Sequence, residues 1–244
     1  QLDRLAQLAA TTDGKITATD AKKAADSDHG IEVALFGRMV ADSKDLNVDS
    51  AVQVAHALST HAVEIESDYF TAVDDYKLDE DDAGAGMIGT VEFTSETLYR
   101  FAAVAVSTLK DNLGDVDLTA QAASAFVRGF IMSMPTGKQN TFANNTIPDA
   151  VVVQVRKGRS ASFIGAFEDP VTSDDGGFVA ASCQAVAAYA HDCEEAFLGA
   201  PEASFVTRVG SRTEAIGTMG TQMPIDDLVS SVRDQVTSLL QDES

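Results

Sequence analysis

His56 and His61 are the first pair whose type and spacing could do acid–base chemistry, since imidazole titrates near neutrality. They stand five positions apart. On a strand that spacing puts them on opposite faces, and on a helix about 140° apart. One buried and one exposed histidine is the expectation, not a general acid and base sharing a substrate. His29 and His191 have no nucleophile or acid pattern beside them. Asp74-Asp75 and the run Asp79–Asp82 carry the hard oxygen ligands that Mg²⁺ and Ca²⁺ take. The run lacks the spaced ligands and central glycine of a calcium-binding loop and reads as a solvated acidic loop. Pro135-Thr136-Gly137-Lys138 looks like a phosphate loop, but it lacks the first glycine and follows a predicted helix. The turn at Lys138 and Gln139 can still offer one phosphate a cation and backbone donors. Cys183 and Cys193 are ten apart, about 15 Å along one helix, so they are expected as unpaired core thiols. No zinc spacing is present. The expectation is a protein without a catalytic constellation, a metal or a cofactor.

The chain has 38 acidic residues against 17 Lys and Arg, a net charge of −21. Taken alone, that charge repels phosphates and argues for a soluble protein-binding module. The distribution argues otherwise. From Phe126 to Ala166 the only acid is Asp149, while Arg128, Lys138, Arg156, Lys157 and Arg159 lie in the same stretch. A basic island sits in an acidic chain. No apolar run approaches the roughly 18 residues of a membrane span.

These groups need elements to position them. Residues 1–27 read as short helices, with Thr17–Ala25 opening on Thr/Asp capping residues. Alternation of Ile31, Val33 and Leu35 predicts a strand over Ile31–Met39, and His61, Val63 and Ile65 predict another. Leu98–Ser107 reads as a strand interrupted by Arg100, and Val151–Arg156 as a valine-rich one. Leu118–Met134 reads as a helix whose stripe is Leu118, Ala122, Ala125, Phe126, Gly129 and Phe130, stopped by Pro135. Further helices are predicted over 177–197 and from Pro224, the last burying Ile225, Leu228, Val232, Val236 and Leu239. Strands that do not alternate one-for-one with helices indicate an α+β fold.

Ser67–Gly89 does not look like core. It is acidic, carries Gly84-Ala85-Gly86, and is too long for a tight turn between strands, so it reads as a protruding arm. Within it, Tyr69-Phe70-Thr71 sets adjacent aromatics away from any periodic stripe. They either pin the arm as a satellite cluster or present a stacking surface to an unpaired base.

The stretches Ile31–Met39, Ala55–His61, Asp68–Asp75, Gly89–Phe93, Pro135–Thr141 and Gln222–Pro224 follow one another in an order that resembles one family. This family is CasC, the repeated backbone subunit of the type I-E Cascade complex of CRISPR defence. The likeness runs from about residue 28 to the end of the chain. It implies an RRM-like (ferredoxin-like) palm over residues 31–244, with a thumb hairpin inserted at about 63–92 and a remnant of a helical fingers lobe at 1–30. The implied function is a non-enzymatic, cytoplasmic, antiviral one. Copies of the subunit form a helical filament along CRISPR RNA beside other Cascade subunits, and the thumb displaces bases at intervals. The remaining bases are left to pair with target DNA. The resemblance implies RNA contacts from Gly37, Arg38 and Met39 at a palm strand end, from Tyr69, Phe70 and Thr71 in the thumb, and from Lys138 and Gln139. The family's opening palm strand and its basic stretch have no counterpart in this sequence. Two other functions fit some of the same features. An RRM-like CRISPR endoribonuclease would need a base near a ribose hydroxyl, and an acidic protein-interaction module would carry no RNA.

Overall fold

The computed structural model describes residues 6–7, 9–10, 16–17, 19–20, 30–72, 87–174 and 176–242. In chain order its elements are α1 (Ile31–Phe36), β1 (Val52–Val54), β2 (Leu58–Ser59), β3 (Glu66–Ala72), β4 (Met87–Phe93), β5 (Leu98–Tyr99) and β6 (Ala102–Val104). Then follow α2 (Val106–Leu113), α3 (Val116–Met132), the single turn α4 (Gln139–Phe142), β7 (Ala150–Val155), α5 (Val179–Cys193), β8 (Ala203–Arg208), β9 (Thr221–Gln222) and α6 (Ile225–Asp242). The fold is α+β, as the sequence predicts.

β7 explains why its sequence is apolar without alternation. It pairs antiparallel with β8, which pairs parallel with β9. Val151, Val153 and Phe205 pack on a core built from α1, α2, α3 and α6, where Leu109, Ala120, Leu228, Val232, Val236 and Leu240 are buried. Ala150, Val152 and Val206 face the other way, onto Val179, Cys183 and Val186 of α5 and Ile216 of a 3₁₀ stretch at Ser211–Met219. A strand covered on both faces needs apolar residues at every position. Burial, with the Asp149 carboxylate adding to it, pushes the Cys183 thiol up to about 11, and Cys183 and Cys193 are both free.

Several predicted elements change. Ile31–Met39 is not a strand: Ile31–Phe36 is helical, and the adjacent Ala34 and Leu35 are both buried, which strand alternation forbids. Gly37 ends that helix at φ 77°, where a side chain would meet the Val48 carbonyl and the Ser50 amide. Gly37, Arg38 and Met39 therefore follow a helix instead of ending a strand. His61–Ile65 is irregular, with β3 starting only at Glu66. Leu98–Ser107 divides into β5, β6 and the start of α2, because Arg100 turns aside. Its guanidinium stacks 4.5 Å over the Phe130 ring and donates to the Phe130 and Ser133 carbonyls at the end of α3. On α3 itself the buried face is rotated from the predicted stripe. Thr119, Ala120, Ala122, Ala123, Ser124 and Ile131 are buried, while Ala125 and Gly129 are exposed. Small residues lie where α3 runs along α6, and the Phe126 and Phe130 rings pack at the flank. On α6 the stripe ends on Leu240 rather than Leu239.

Thr17 accepts the Asp20 amide as a helix cap should, but most of Thr17–Ala25, the acidic runs at 74–75 and 79–82 and the glycines at 84 and 86 lie outside the described residues. No helix among the described residues is long and apolar enough to cross a membrane.

Candidate nucleic-acid interface

The acidic arm begins and ends as a hairpin. β3 and β4 pair antiparallel from Glu66↔Phe93 to Ala72↔Met87. None of their residues is buried, and only Gly89 and Val91 are even half-covered. Such a ribbon has no core of its own, so its exposed side chains need another reason to be there.

The register separates the two aromatics. Side chains alternate across the ribbon, so Phe70 shares a face with Gly89, Val91, Phe93 and Met87, and Tyr69 lies opposite Thr90 on the other face. The adjacent aromatics are thus two single rings on opposite faces of the ribbon, not one shared surface. Phe70 lies across Gly89, where a Cβ would come 2.5 Å from the ring's Cζ. The glycine makes the seat, the strand counterpart of an aromatic ring covering a cross-strand glycine. The seated ring is 38% exposed and the Tyr69 ring 62%. Thr71 is exposed beside Ile88 on the Tyr69 face.

At the hairpin base the Phe93 ring meets Phe142 of α4, 5.8 Å between centroids. This contact brings the Lys138–Gln139 turn to the arm. Lys138 sits at φ 59° and Ala143 at φ 52°, the two non-glycine residues of positive φ among those described, one at each end of α4. Such a conformation costs about 1 kcal/mol or more and persists where the surroundings hold it. Here Gln139 Nε2 donates to Asn145 Oδ1 at 2.7 Å and closes the turn. The Lys138 side chain is exposed, and no described acid pairs with it. The contribution of Phe93, Gly89 and Phe142 was missed in the sequence. A phenylalanine four residues past a Gly-Lys turn was the available signal, whereas the place of Gly89 across from Phe70 follows from the strand register.

Gly37, Arg38 and Met39 form a separate feature. Arg38 bridges to Val48, and its Nε and Nη2 both donate to the Leu46 carbonyl, at 2.9 and 2.7 Å. That guanidinium holds the 43–47 turn, while the Met39 side chain beside it is 88% exposed. The histidines behave as their spacing requires. His56 is exposed; His61 is buried, stacked 3.7 Å on Phe178, with Nδ1 on the Ala62 carbonyl and Nε2 accepting from the Thr97 amide. Beside it Thr60 Oγ1 accepts from Ser182 Oγ, so the 55–61 stretch fastens the hairpin's root to α5. Among the described residues no group of His, Cys, Asp or Glu could hold a metal.

The basic island is uneven. Arg128 pairs with Asp226, and Arg156 is tied to Glu194, Gln154 and the Gly199 carbonyl. Lys138, Lys157 and Arg159 remain exposed and unpaired among the described residues.

The described residues thus form an α+β scaffold with a coreless aromatic hairpin and exposed cations that make no ion pair among them. The chain belongs to the CT1975-like protein family, whose model it matches over residues 1–231. It is similar to a chain of a solved "CRISPR RNA-guided surveillance complex, pre-nicking", with 33% identity and a TM-score of 0.76, over 88% of this chain and 58% of that one. A chain of a second "CRISPR RNA-guided surveillance complex" shows 35% identity and a TM-score of 0.71, over 82% of this chain and 78% of the other. The sequence thus spans little more than half of the first of these relatives. No curated protein gives a significant match.

Proposed function

We propose that this chain is part of a CasC-type backbone subunit of a type I-E Cascade complex, holding CRISPR RNA for pairing with target DNA. On this reading residues 31–244 are an RRM-like palm and the β3–β4 hairpin is the thumb. Copies assemble in the cytoplasm along the RNA, next to other Cascade subunits, and the subunit holds the guide without cutting it.

The observation that carries the reading is the joint between hairpin and turn. A ribbon with an aromatic ring on each face is fastened through Phe93 and Phe142 to a turn that presents Lys138. Phosphate contacts position a nucleic acid and rings displace bases, and neither task needs sequence-specific groups or catalytic ones. Similarity to chains of surveillance complexes supports the same reading.

The test is to express the full-length protein with its own CRISPR array, purify it, record the 260/280 nm ratio and sequence what copurifies. Guide RNA of one length, protected at regular intervals, is the expected result. Clean protein overturns the proposal and favours the protein-interaction module, whereas cleavage of repeat RNA by the purified protein favours the endoribonuclease. Lys138→Ala is expected to lower the slope of log affinity against log salt by about 0.7, the value for one phosphate contact on a single strand. An unaltered slope in a salt titration removes Lys138 from the site.

A further inference from the structure

The turn that follows β7 carries Lys157 and Arg159 on either side of Gly158, which takes φ 97°. Both side chains are exposed, and neither makes an ion pair or hydrogen bond to a described residue. In a chain of net charge −21 these two cations, two positions apart, stay without an ion pair among the described residues. The structure keeps them so. Glu194 of the neighbouring helical turn is neutralised by Arg156, which also holds Gln154 Oε1 and the Gly199 carbonyl. Glu202, whose amide bonds the Val155 carbonyl, makes no ion pair with the turn. The island's third cation in this stretch is thus used as a brace, and the other two face outward.

The loop that follows this turn is also tied to the root of the hairpin. The segment 93–100 contacts residues that flank both basic turns. Phe93 touches Phe142, Arg100 donates to the Ser133 carbonyl and to Met134 Sδ, and Tyr99 Oη accepts from the Phe163 amide and meets Ser162 Oγ at 3.5 Å. The stretch that roots the hairpin therefore contacts α4, which follows Lys138, and Ser162–Phe163, which follow the Lys157–Arg159 turn by a few residues. Exposed cations on segments tied to one root fit a ligand with negative charges along its length.

We infer that Lys157 and Arg159 form a second phosphate-binding site, engaging the phosphodiester backbone of a nucleic-acid strand apart from the contacts at Lys138. This deepens the guide-holding reading and rests on it. Arginine can take one phosphate through two N–H donors, and lysine adds a point charge to the next. The contact is independent of sequence, as a guide of variable sequence requires. The sequence Arg156-Lys157-Gly158-Arg159 alone suggests three equivalent cations; only the packing shows that the first is taken.

The experiment uses full-length protein with the double substitution K157A/R159A. Because both side chains are exposed and unbonded, Tm stays within about 2 °C of wild type. Guide-RNA binding and capture of a complementary DNA strand by the assembled complex are each titrated with salt. A slope against log salt lowered by about 1.4 for the guide RNA places the turn on the guide. An unchanged guide slope with a lowered slope for the DNA strand places it on the target. Wild-type slopes in both, including the case where only association between copies weakens, overturn the inference and leave the guide-holding reading standing. A wild-type protein that carries no RNA overturns that reading and the inference with it.

Discussion

Replacing Phe70 with alanine is expected to weaken ordered assembly on guide RNA by roughly 5- to 150-fold in affinity, the equivalent of about 1–3 kcal/mol for one aromatic–base stack. The size of the effect follows from preorganisation. A free phenylalanine on an exposed ribbon would have to be ordered when the base arrives, but Phe70 already lies across Gly89. One face of the ring is thereby fixed on backbone, leaving the 38% that is exposed for a ligand. The seat provides a second, independent variant. Gly89→Val keeps the ring but puts a side chain where the ring lies, so it reproduces most of the loss. Phe70→Trp keeps a stacking surface and retains most of the affinity. Because no described residue of the hairpin belongs to the buried core, none of the three shifts Tm by more than about 2 °C. Fluorescence anisotropy with labelled guide RNA reads the affinity. Wild-type binding by both Phe70→Ala and Gly89→Val would remove Phe70 from the interface and leave Tyr69, on the opposite face, as the aromatic to test.

The parts of this fold that could be read from sequence are those whose pattern has one physical cause. β7 and α6 came through because a run of valines or a 3.6-residue stripe follows directly from burial, while α3 and α5 came through as helices although the buried face of α3 is rotated from the predicted one. Ile31–Phe36 did not, since over six residues Ile31, Val33 and Leu35 fit a strand as well as a helix, and a short apolar stretch cannot arbitrate between them. Leu98–Val104 failed for a different reason. Its apolar residues are continuous, but Arg100 is recruited to carbonyls thirty residues away, which no local signal records. The site divides the same way. Tyr69 and Phe70 stood out as aromatics without a stripe, yet their opposite faces depend on the strand register, and that register is set by the pairing partner. Arg156 looked like its basic neighbours until its partners on the helical turn at Glu194–Leu198 were visible.

Arg156→Ala is expected to lower Tm by roughly 6–12 °C while leaving the RNA salt slope of the folded protein unchanged. The Arg156 side chain is 9% exposed and the Glu194 side chain 26%. Truncating one partner of a buried pair costs about 3–5 kcal/mol because the remaining charge is stranded. Glu194 keeps some access to water, so the lower figure of about 3 kcal/mol applies, and each kcal/mol moves Tm by about 2–4 °C in a chain of this size. The guanidinium also satisfies Gln154 Oε1 and the Gly199 carbonyl, in a fork that an ammonium group does not match. Arg156→Lys therefore recovers only part of the loss. Removing both charges, as Arg156→Met with Glu194→Gln, recovers more than Arg156→Lys does, since no unpaired carboxylate is left in the half-buried site. Calorimetry on the three variants and the wild type separates these contributions. If Arg156→Ala keeps the wild-type Tm but loses about 0.7 of the salt slope, Arg156 belongs with Lys157 and Arg159 on the nucleic acid, and the brace that keeps those two cations uncompensated must lie elsewhere.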